Sequence, residues 1–580
     1  MNASPPKEKN AANVFEREVP YKGEDLDEAA LNDDAALAVL GYRQEFKRGF
    51  SPMEIFGLSF SIIGLFPSIA SVLVFAIPYG GPVALIWGWA TCSLFLVLIA
   101  LALAELASAA PTSGGLYYWT WAFASPRWRN ILAWIVGCEY ADTSSLRLTL
   151  IYSNSMGLIA GVASIDWGCA VQLMAAVSIG SNETFVPTTA QTYGVFVAVL
   201  LCHAVVGSLA THVIARLQNL YTAVNILLCL AIIIALPAAT PKEFRNPPSF
   251  AFSGFINLYG WPNGFAFVLS FLAPLWTIAG GFDGPVHVSE EASNARTAVP
   301  WAIISAVVVS SVLGWIINIV LSLCMGTDME AIMTNPIGQP MATIIFNSLG
   351  RNGTLAVWSI VVIVQFLMGS SSLVAASRQM FAFARDKAIP FSGRISHVND
   401  RTRTPVTAVW ASAFVALVIG LIGFAGPIGS SAIFGLSIAG QYTAFSIPVM
   451  CRFLGGREWE PGPFTLGRAG VPVGIVAVAW MIFAIVIFAF PSAPGPDAEG
   501  MNYMPVVYGA WIGFCLLYYY MPVYGGVYWF NGPRTTIHAN RTAHTYTSRS
   551  DEDAIPDTSN SVDRPSEKGS AASALSQAHT

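Results

Sequence analysis

Charge is scarce in this sequence. Only 11% of its 580 residues are Asp, Glu, Lys or Arg, against roughly 25% in a soluble domain. That shortage excludes a soluble globular body. Cysteine is sparse as well. The eight are scattered, mostly in apolar stretches, with neither metal-ligand spacing nor a disulfide framework. The seven histidines, at 203, 212, 287, 397, 538, 544 and 579, make no H-x-x-x-H or H-E-x-x-H pair. A zinc hydrolase is therefore excluded, and a membrane enzyme lacks the nucleophile–base set it would need. Neither an enzyme nor a cofactor site is expected. The net charge of −5 comes from the ends of the chain, so it argues for no nucleic-acid partner. The N-terminus stays polar up to about Lys47, without a cleavable signal pattern.

What the chain has instead is oil. Hydrophobic residues make up 54%, and runs of about 20 recur, each long enough to cross a bilayer. The fold class expected is an all-α polytopic membrane protein of about twelve helices. They are placed near 53–77, 83–108, 131–179, 191–209, 216–237, 263–291, 299–325, 353–384, 405–424, 428–452, 471–490 and 505–528. Residues 1–48 and 531–580 are polar and read as disordered cytoplasmic tails around a core of 49–530. With both termini inside, twelve Lys and Arg of the short loops fall on the inner side (Arg127, Arg129, Arg216, Arg296, Arg385, Lys387, Arg394, Arg401, Arg403, Arg452, Arg457 and Arg468). Only Lys242, Arg245 and Arg351 fall outside, which obeys the positive-inside rule. Two N-x-[ST] sequons, at Asn182 and Asn352, then lie outside as glycosylation candidates.

Two spans are interrupted. The first reads "SFSIIGLFPSIAS", with Gly64 and Pro67 in mid-span; the sixth reads "APLWTIAGGFDGPVHVSEE", with Pro274, Gly280, Gly281, Gly284 and Pro285. Gly and Pro open a helix and free backbone groups, which at membrane depth need protein, water or ligand as partners. Breaks at the same position in two halves of five helices point to a transport site at the midplane.

These segments, with "ELASAAPTSGGLYYWTWAFA" and "SRQMFAFARDKAIPFS", resemble the amino acid–polyamine–organocation superfamily of permeases over about residues 50–528. They look most like its fungal amino acid, GABA and choline branch. The resemblance implies a five-plus-five inverted repeat with two peripheral helices. It also implies import of an amino acid or small amine by alternating access, driven by protons, at the plasma membrane or the vacuole. The chain departs from the family in two places. Gly64-Leu65-Phe66-Pro67-Ser68 is bulkier than the G-S-G stretch that cradles an α-carboxylate, which shifts weight toward GABA, choline or a polyamine. Asn225 stands where some branches carry a lysine that substitutes for sodium.

The candidate substrate site comprises Ile63, Gly64 and Ser68 at the first break, and Thr277, Ala279, Gly280 and Gly281 at the second. Half-helix N-termini suit a carboxylate, and freed carbonyls suit an ammonium. Trp276 and Phe282 flank the second break, where an aromatic face attracts a cation. Trp276 matches the family's substrate-lining tryptophan. Asp283 binds a substrate amine, titrates during proton coupling, or caps the second half-helix. Glu105 faces Arg378 or Arg385 in an inner gate, or belongs to a plain interface pair. Glu290 and Glu291 read as a cytoplasmic helix end.

Alternatives to an importer are a non-transporting nutrient sensor on the same fold and a polyamine exporter or exchanger. A sugar facilitator would carry a basic G-x-x-x-D-R-x-G-R-R-like loop after the second span; Pro-Thr-Ser-Gly-Gly stands there. The third span is anomalous. Residues 131–179 as one helix would run about 74 Å, against a hydrocarbon core of roughly 30 Å. "CEYADTSSLRLTLIYS", Cys138–Ser153, is either a genuine insert or a retained intron in the gene model. Its codons are compatible with intron signals, and its removal leaves a span of about 50 Å.

Overall fold

A computed structural model describes residues 28–137, 153–386, 391–497, 500–523, 525–528, 530–534 and 536. Every named element among these residues is a helix. A short helix α1 (Glu28–Val39) precedes the first span, which is split into α2 (Pro52–Ile63) and α3 (Leu65–Val72). The second is α4 (Trp89–Ala109), followed by α5 (Gly115–Phe123). The third is divided into α6 (Arg129–Val136) and α7 (Ser153–Gly180); α8 (Thr189–Gly207) and α9 (Thr211–Ala239) are the fourth and fifth. After a short α10 (Pro248–Ser253) comes the sixth, in three pieces: α11 (Asn263–Leu269), α12 (Leu272–Ala279) and α13 (Gly284–His287). Then follow α14 (Ala295–Cys324), a short α15 (Met329–Met333), α16 (Pro340–Arg385), a short α17 (Ser392–Ile395), α18 (Val406–Gly420), α19 (Gly426–Leu454), α20 (Gly470–Ile487) and α21 (Met504–Tyr519). Among the described residues, eleven stretches are long and apolar enough to cross a membrane, and the shorter apolar α21 occupies the expected twelfth place.

Local sequence explains the boundaries that matter. α2 starts on a capping box, in which Ser51 accepts from the Glu54 amide and Glu54 reaches back to Ser51, with Pro52 in the first turn. It ends at Gly64, whose φ of 48° is left-handed. A Cβ there would also lie 2.5 Å from the Met368 sulfur, so only glycine fits. α16 bends at Gly350 (φ 65°, ψ −179°), and the eighth span begins just after it. α9 shows how the helices face lipid. Leu220, Leu227 and Ile234, seven apart, are 57–70% exposed, while Gln218, Asn225 and Ile232 are buried on the opposite side. α2, α3, α7 and α12 are buried almost entirely and form the centre. α2 packs against α13 and α3 against α12, so the two broken spans lie side by side.

One expectation needs correction. In the third span α6 ends at an extended Gly137 (φ −155°, ψ 90°), and α7, 28 residues, spans about 42 Å. Of the anomalous stretch Cys138–Ser153, residues 138–152 lie outside the described residues. Residues 28–48, assigned to a disordered tail on composition, hold α1 and bury Leu37, Tyr42 and Phe46. Three large apolar side chains anchor them despite polar surroundings. The remaining tail residues, 1–27 and 537–580, are outside the described residues.

Candidate functional site

At the first break the carbonyl of Ile63 has lost its helical partner. The Ser68 hydroxyl donates to it at 2.6 Å, and lies 3.3 Å from the Met368 sulfur. At the second break the Gly281 carbonyl accepts from the Ser59 hydroxyl at 2.6 Å. Each break is therefore closed by a serine on the first span, as freed backbone groups in a dry interior require. Asn225, on α9, points its amide at the Phe60 carbonyl, 3.4 Å away, in the turn before Gly64.

A small cavity of about 20 Å³ lies against the second break. Trp276, Thr277, Ala279 and Gly280 line it, joined by Ile62, Leu158, Gly161 and Ile165, by Met368, Ser372 and Ala375 of α16, and by Ser437, Ile438 and Gln441 of α19. The volume holds about one water, so an amino acid enters only when the helices part. Gly280 and Gly281 permit the close approach of the two breaks: a Cβ at Gly281 would fall 2.7 Å from the Ile63 side chain. Of the residues expected from sequence, four line this cavity. Ile63, Gly64, Ser68 and Gly281 form the breaks beside it. The Thr277 hydroxyl donates to its own helix, at Ala273 O, 2.8 Å away.

Phe282 does not line this cavity. It is fully buried and packs edge-on against Phe445 (5.8 Å, 88°), not into the cavity. Asp283 does not cap α13: it sits at the N-cap position with no side-chain cap bond. Its carboxylate is wholly buried, neither oxygen has a hydrogen-bond partner, and the nearest base is His287 Nε2 at 3.7 Å. His287 Nδ1 is 2.9 Å from the Ser113 carbonyl.

A larger cavity of about 350 Å³ lies toward the end opposite α1. It is bounded by Ser71, Phe75, Trp167, Gly168 and Phe434 and by the loops before α8 and α16. Phe434 separates the two spaces, 5.7 Å from Phe75 and 4.7 Å from Trp276, ring centre to ring centre. Three aromatic side chains thus form a thin barrier.

The other end, where α1 lies, is closed by charge. Arg378 donates to Glu291 at 2.8 Å with both side chains fully buried, and Arg385 grips Glu290 with two bonds of 2.7 and 3.0 Å. Glu290 also accepts from Thr112 and the Ser113 amide, both at 3.0 Å. Burial raises the Glu290 carboxyl, but Arg385 outweighs it and the net position is below the ordinary range. Glu290 and Glu291 are therefore parts of the closure, not an exposed helix end. Glu105 does not meet Arg378 or Arg385. It pairs with Arg452 and accepts from the Thr465 hydroxyl and the Leu466 amide, at 2.9 and 3.0 Å. The chain signs were right, but which helix ends meet is set by packing. Of the two sequons, Asn182 is exposed in a loop; Asn352 is exposed in the first turn after the Gly350 bend, with Thr354 buried.

The segment before α2 seals this closure. Gly49 and Phe50 donate to the Glu291 carbonyl, and Asp33 accepts from the Asn294 and Ala295 amides that open α14. Arg385 lies 4.1 Å over the Tyr42 ring, and Tyr42 donates to Asp386 at 3.1 Å. Burial pushes the Asp386 carboxyl up to about 7, with Arg385 opposing. A carboxyl raised in the closed arrangement favours closure at low pH and loses that contribution as pH rises toward 7. Release of residues 33–50 is expected to become up to about tenfold easier per pH unit between about 4 and 7, then to level off. Hydrogen exchange of the Gly49 and Phe50 amides across that range measures it; Asp386→Asn is expected to remove the dependence.

Gln441, Ser437 and Ser372 were missed in the sequence. The signal was a lone glutamine in "SIAGQYTAF" and a serine run in "MGSSSL", polar residues in apolar spans. Asp166, in "ASIDWG", carried the same signal.

Known proteins resemble this chain over most of its length. The amino acid permease family model matches residues 50–511. The GABA-specific permease of Saccharomyces cerevisiae is 38% identical over 515 residues, covering 88% of this chain and 87% of that protein. An uncharacterized amino-acid permease of Schizosaccharomyces pombe is 36% identical, covering 88% and 89%. Amino-acid permease 2 of Neurospora crassa is 33% identical, covering 87% and 89%. With paired broken helices around a buried cavity and a family match over most of its length, this chain belongs to the amino acid permease family.

Proposed function

We propose that the chain imports a small amino acid or amine, GABA first among the candidates, in symport with protons by alternating access. The observation that carries this reading is the cavity at two facing helix breaks, shut by buried ion pairs on one side and by an aromatic barrier on the other. Two closures around one site are what alternating access needs. GABA is favoured by the similarity to a GABA-specific permease, and by the bulk of Leu65 and Phe66 where an α-carboxylate cradle would be small. Trp276 offers its face to the substrate ammonium, and the Gln441 and Ser372 side chains offer polar partners beside it.

In this reading Asp283, Glu105 and Arg378 belong to the inner gate. Arg378–Glu291 and Arg452–Glu105 hold it shut, and opening exposes to water the Asp283 carboxylate, which has no hydrogen-bond partner when closed. The end bearing α1 faces the cytoplasm and both termini lie inside, as the Lys and Arg distribution favours. Asn182 and Asn352 then face outward. The plasma membrane is the proposed site.

Uptake of labelled GABA, choline, polyamines and α-amino acids, in cells lacking their own permeases and at two external pH values, tests the proposal. GABA uptake that rises at the lower pH is expected. Uptake indifferent to a collapsed proton gradient would remove the symport claim. Absence of uptake for every compound would favour a sensor.

A further inference from the structure

Besides Asp283–His287, the chain holds a second buried aspartate–histidine pair, away from the helix breaks. Asp166 is in the middle of α7 and His203 near the end of α8. His203 Nδ1 lies 3.1 and 3.2 Å from the two Asp166 oxygens, and both side chains are fully buried. His203 Nε2 has no hydrogen-bond partner, and the ring lies 4.3 Å from that of Phe366. A carboxylate facing one imidazole in an apolar interior is costly when it carries net charge. Histidine is the side chain whose proton affinity is poised near neutral pH.

The position gives the pair a role. Ile165, one residue before Asp166, lines the small cavity, while Trp167 and Gly168, just after it, line the larger one. Gln365 of α16 donates to the Ile165 carbonyl at 3.0 Å. Met368 lines the small cavity, and its neighbour Gly369 faces the pair so closely that a Cβ would lie 2.2 Å from Asp166. Any shift of α16 against α7 that admits substrate therefore also moves the surroundings of Asp166 and His203. Few other titratable groups face them. Cys169 is one turn along α7, and Cys202 is exposed on α8. On α16 the nearest charge along the helix, Arg378, is tied to Glu291. α3 and α18 contribute no titratable residue, and on α19 Tyr442, Cys451 and Arg452 are the titratable ones, Arg452 being paired with Glu105.

We propose that Asp166 and His203 form the proton site of the transport cycle. This rests on the symport reading above. In the empty pair, His203 is neutral and donates its Nδ1 hydrogen to the Asp166 carboxylate, and the net charge is −1. One proton from the outer cavity adds to Nε2, giving an imidazolium–carboxylate pair of net charge zero. When the helices part on the other side, that proton leaves Nε2 for water and the pair returns to −1. One positive charge crosses with each substrate.

The test uses purified protein in proteoliposomes and radiolabelled GABA, with Asp166→Asn, His203→Gln and the parent chain. Two readings are taken: accumulation driven by an imposed inward proton gradient, and counterflow exchange, which needs no net proton movement. Both variants are expected to keep counterflow within about threefold, lose at least tenfold in driven accumulation, and lose its pH dependence. His203→Gln retains a donor toward Asp166 and serves if Asp166→Asn fails to fold. A coupling that survives in the folded variants overturns this proposal alone, as does equal loss of counterflow and accumulation, which marks a structural role. A parent protein whose accumulation ignores the gradient overturns the symport reading together with this one.

Discussion

Replacing Arg378 with alanine is expected to cost the protein roughly 3–5 kcal/mol and to leave little folded transporter. The cause is what stays behind. Glu291 is fully buried, and Arg378 supplies its charge partner at 2.8 Å. One Glu291 oxygen is already without a hydrogen-bond partner. Without the guanidinium, a carboxylate would remain in the interior beside the Phe50 segment that its own backbone carbonyl holds. Replacing both partners by apolar residues, Arg378→Met with Glu291→Leu, is expected to restore most of the stability, because no charge is then stranded. If the pair is also a gate, the double variant is stable yet transports differently from the parent. Heat-resistant fraction in detergent, read by size exclusion, separates the three proteins. An alanine variant as stable as the parent would show that Glu291 carries no buried charge.

The second large effect is expected at Trp276. It lines the small cavity and stands 4.7 Å from Phe434, so it serves both the substrate and the barrier. Loss of an aromatic face for an ammonium is worth about 0.5–2 kcal/mol, which predicts a KM for GABA roughly two- to thirtyfold higher in Trp276→Ala. Trp276→Phe keeps a ring and is expected to retain most of the affinity. An unchanged KM in the alanine variant would take Trp276 out of the site. Phe282→Leu serves as contrast: Phe282 packs on Phe445 and its replacement is expected to lower stability while leaving KM alone.

The spans and both breaks were legible in the sequence because they rest on local physics. Twenty apolar residues cross a bilayer wherever they occur, and paired glycines with proline open a helix whatever its neighbours. The failures lie where local periodicity stops carrying information. Beyond Gly280 and Gly281 the helical phase is lost, so Phe282 could not be aimed from its spacing to Trp276. Glu105 had the right sign for an arginine, but Arg378, Arg385 and Arg452 were all available to it, and the packing of α4, α19 and the 460s loop chose Arg452. Gln441 and Ser372 sit on spans far apart in sequence from the breaks, and only packing brings them to the cavity. Asp166 and His203 are 37 residues apart; each is a polar residue in an apolar span, but only packing pairs them. The strap of residues 28–50 was hidden by averaging: its polar residues dominate the composition, while Leu37, Tyr42 and Phe46 do the anchoring.

The central claim is that substrate is held where the two broken helices face each other. Thr277 lines that cavity, and a cysteine there reports occupancy directly. In a background with Cys202, the exposed one among the described cysteines, replaced by serine, Thr277→Cys is labelled with a small charged thiol reagent with and without GABA. GABA is expected to slow labelling in proportion to its occupancy, with half-protection near its KM. Labelling at an unchanged rate under saturating GABA, in protein that still transports it, would place the substrate elsewhere and contradict the account.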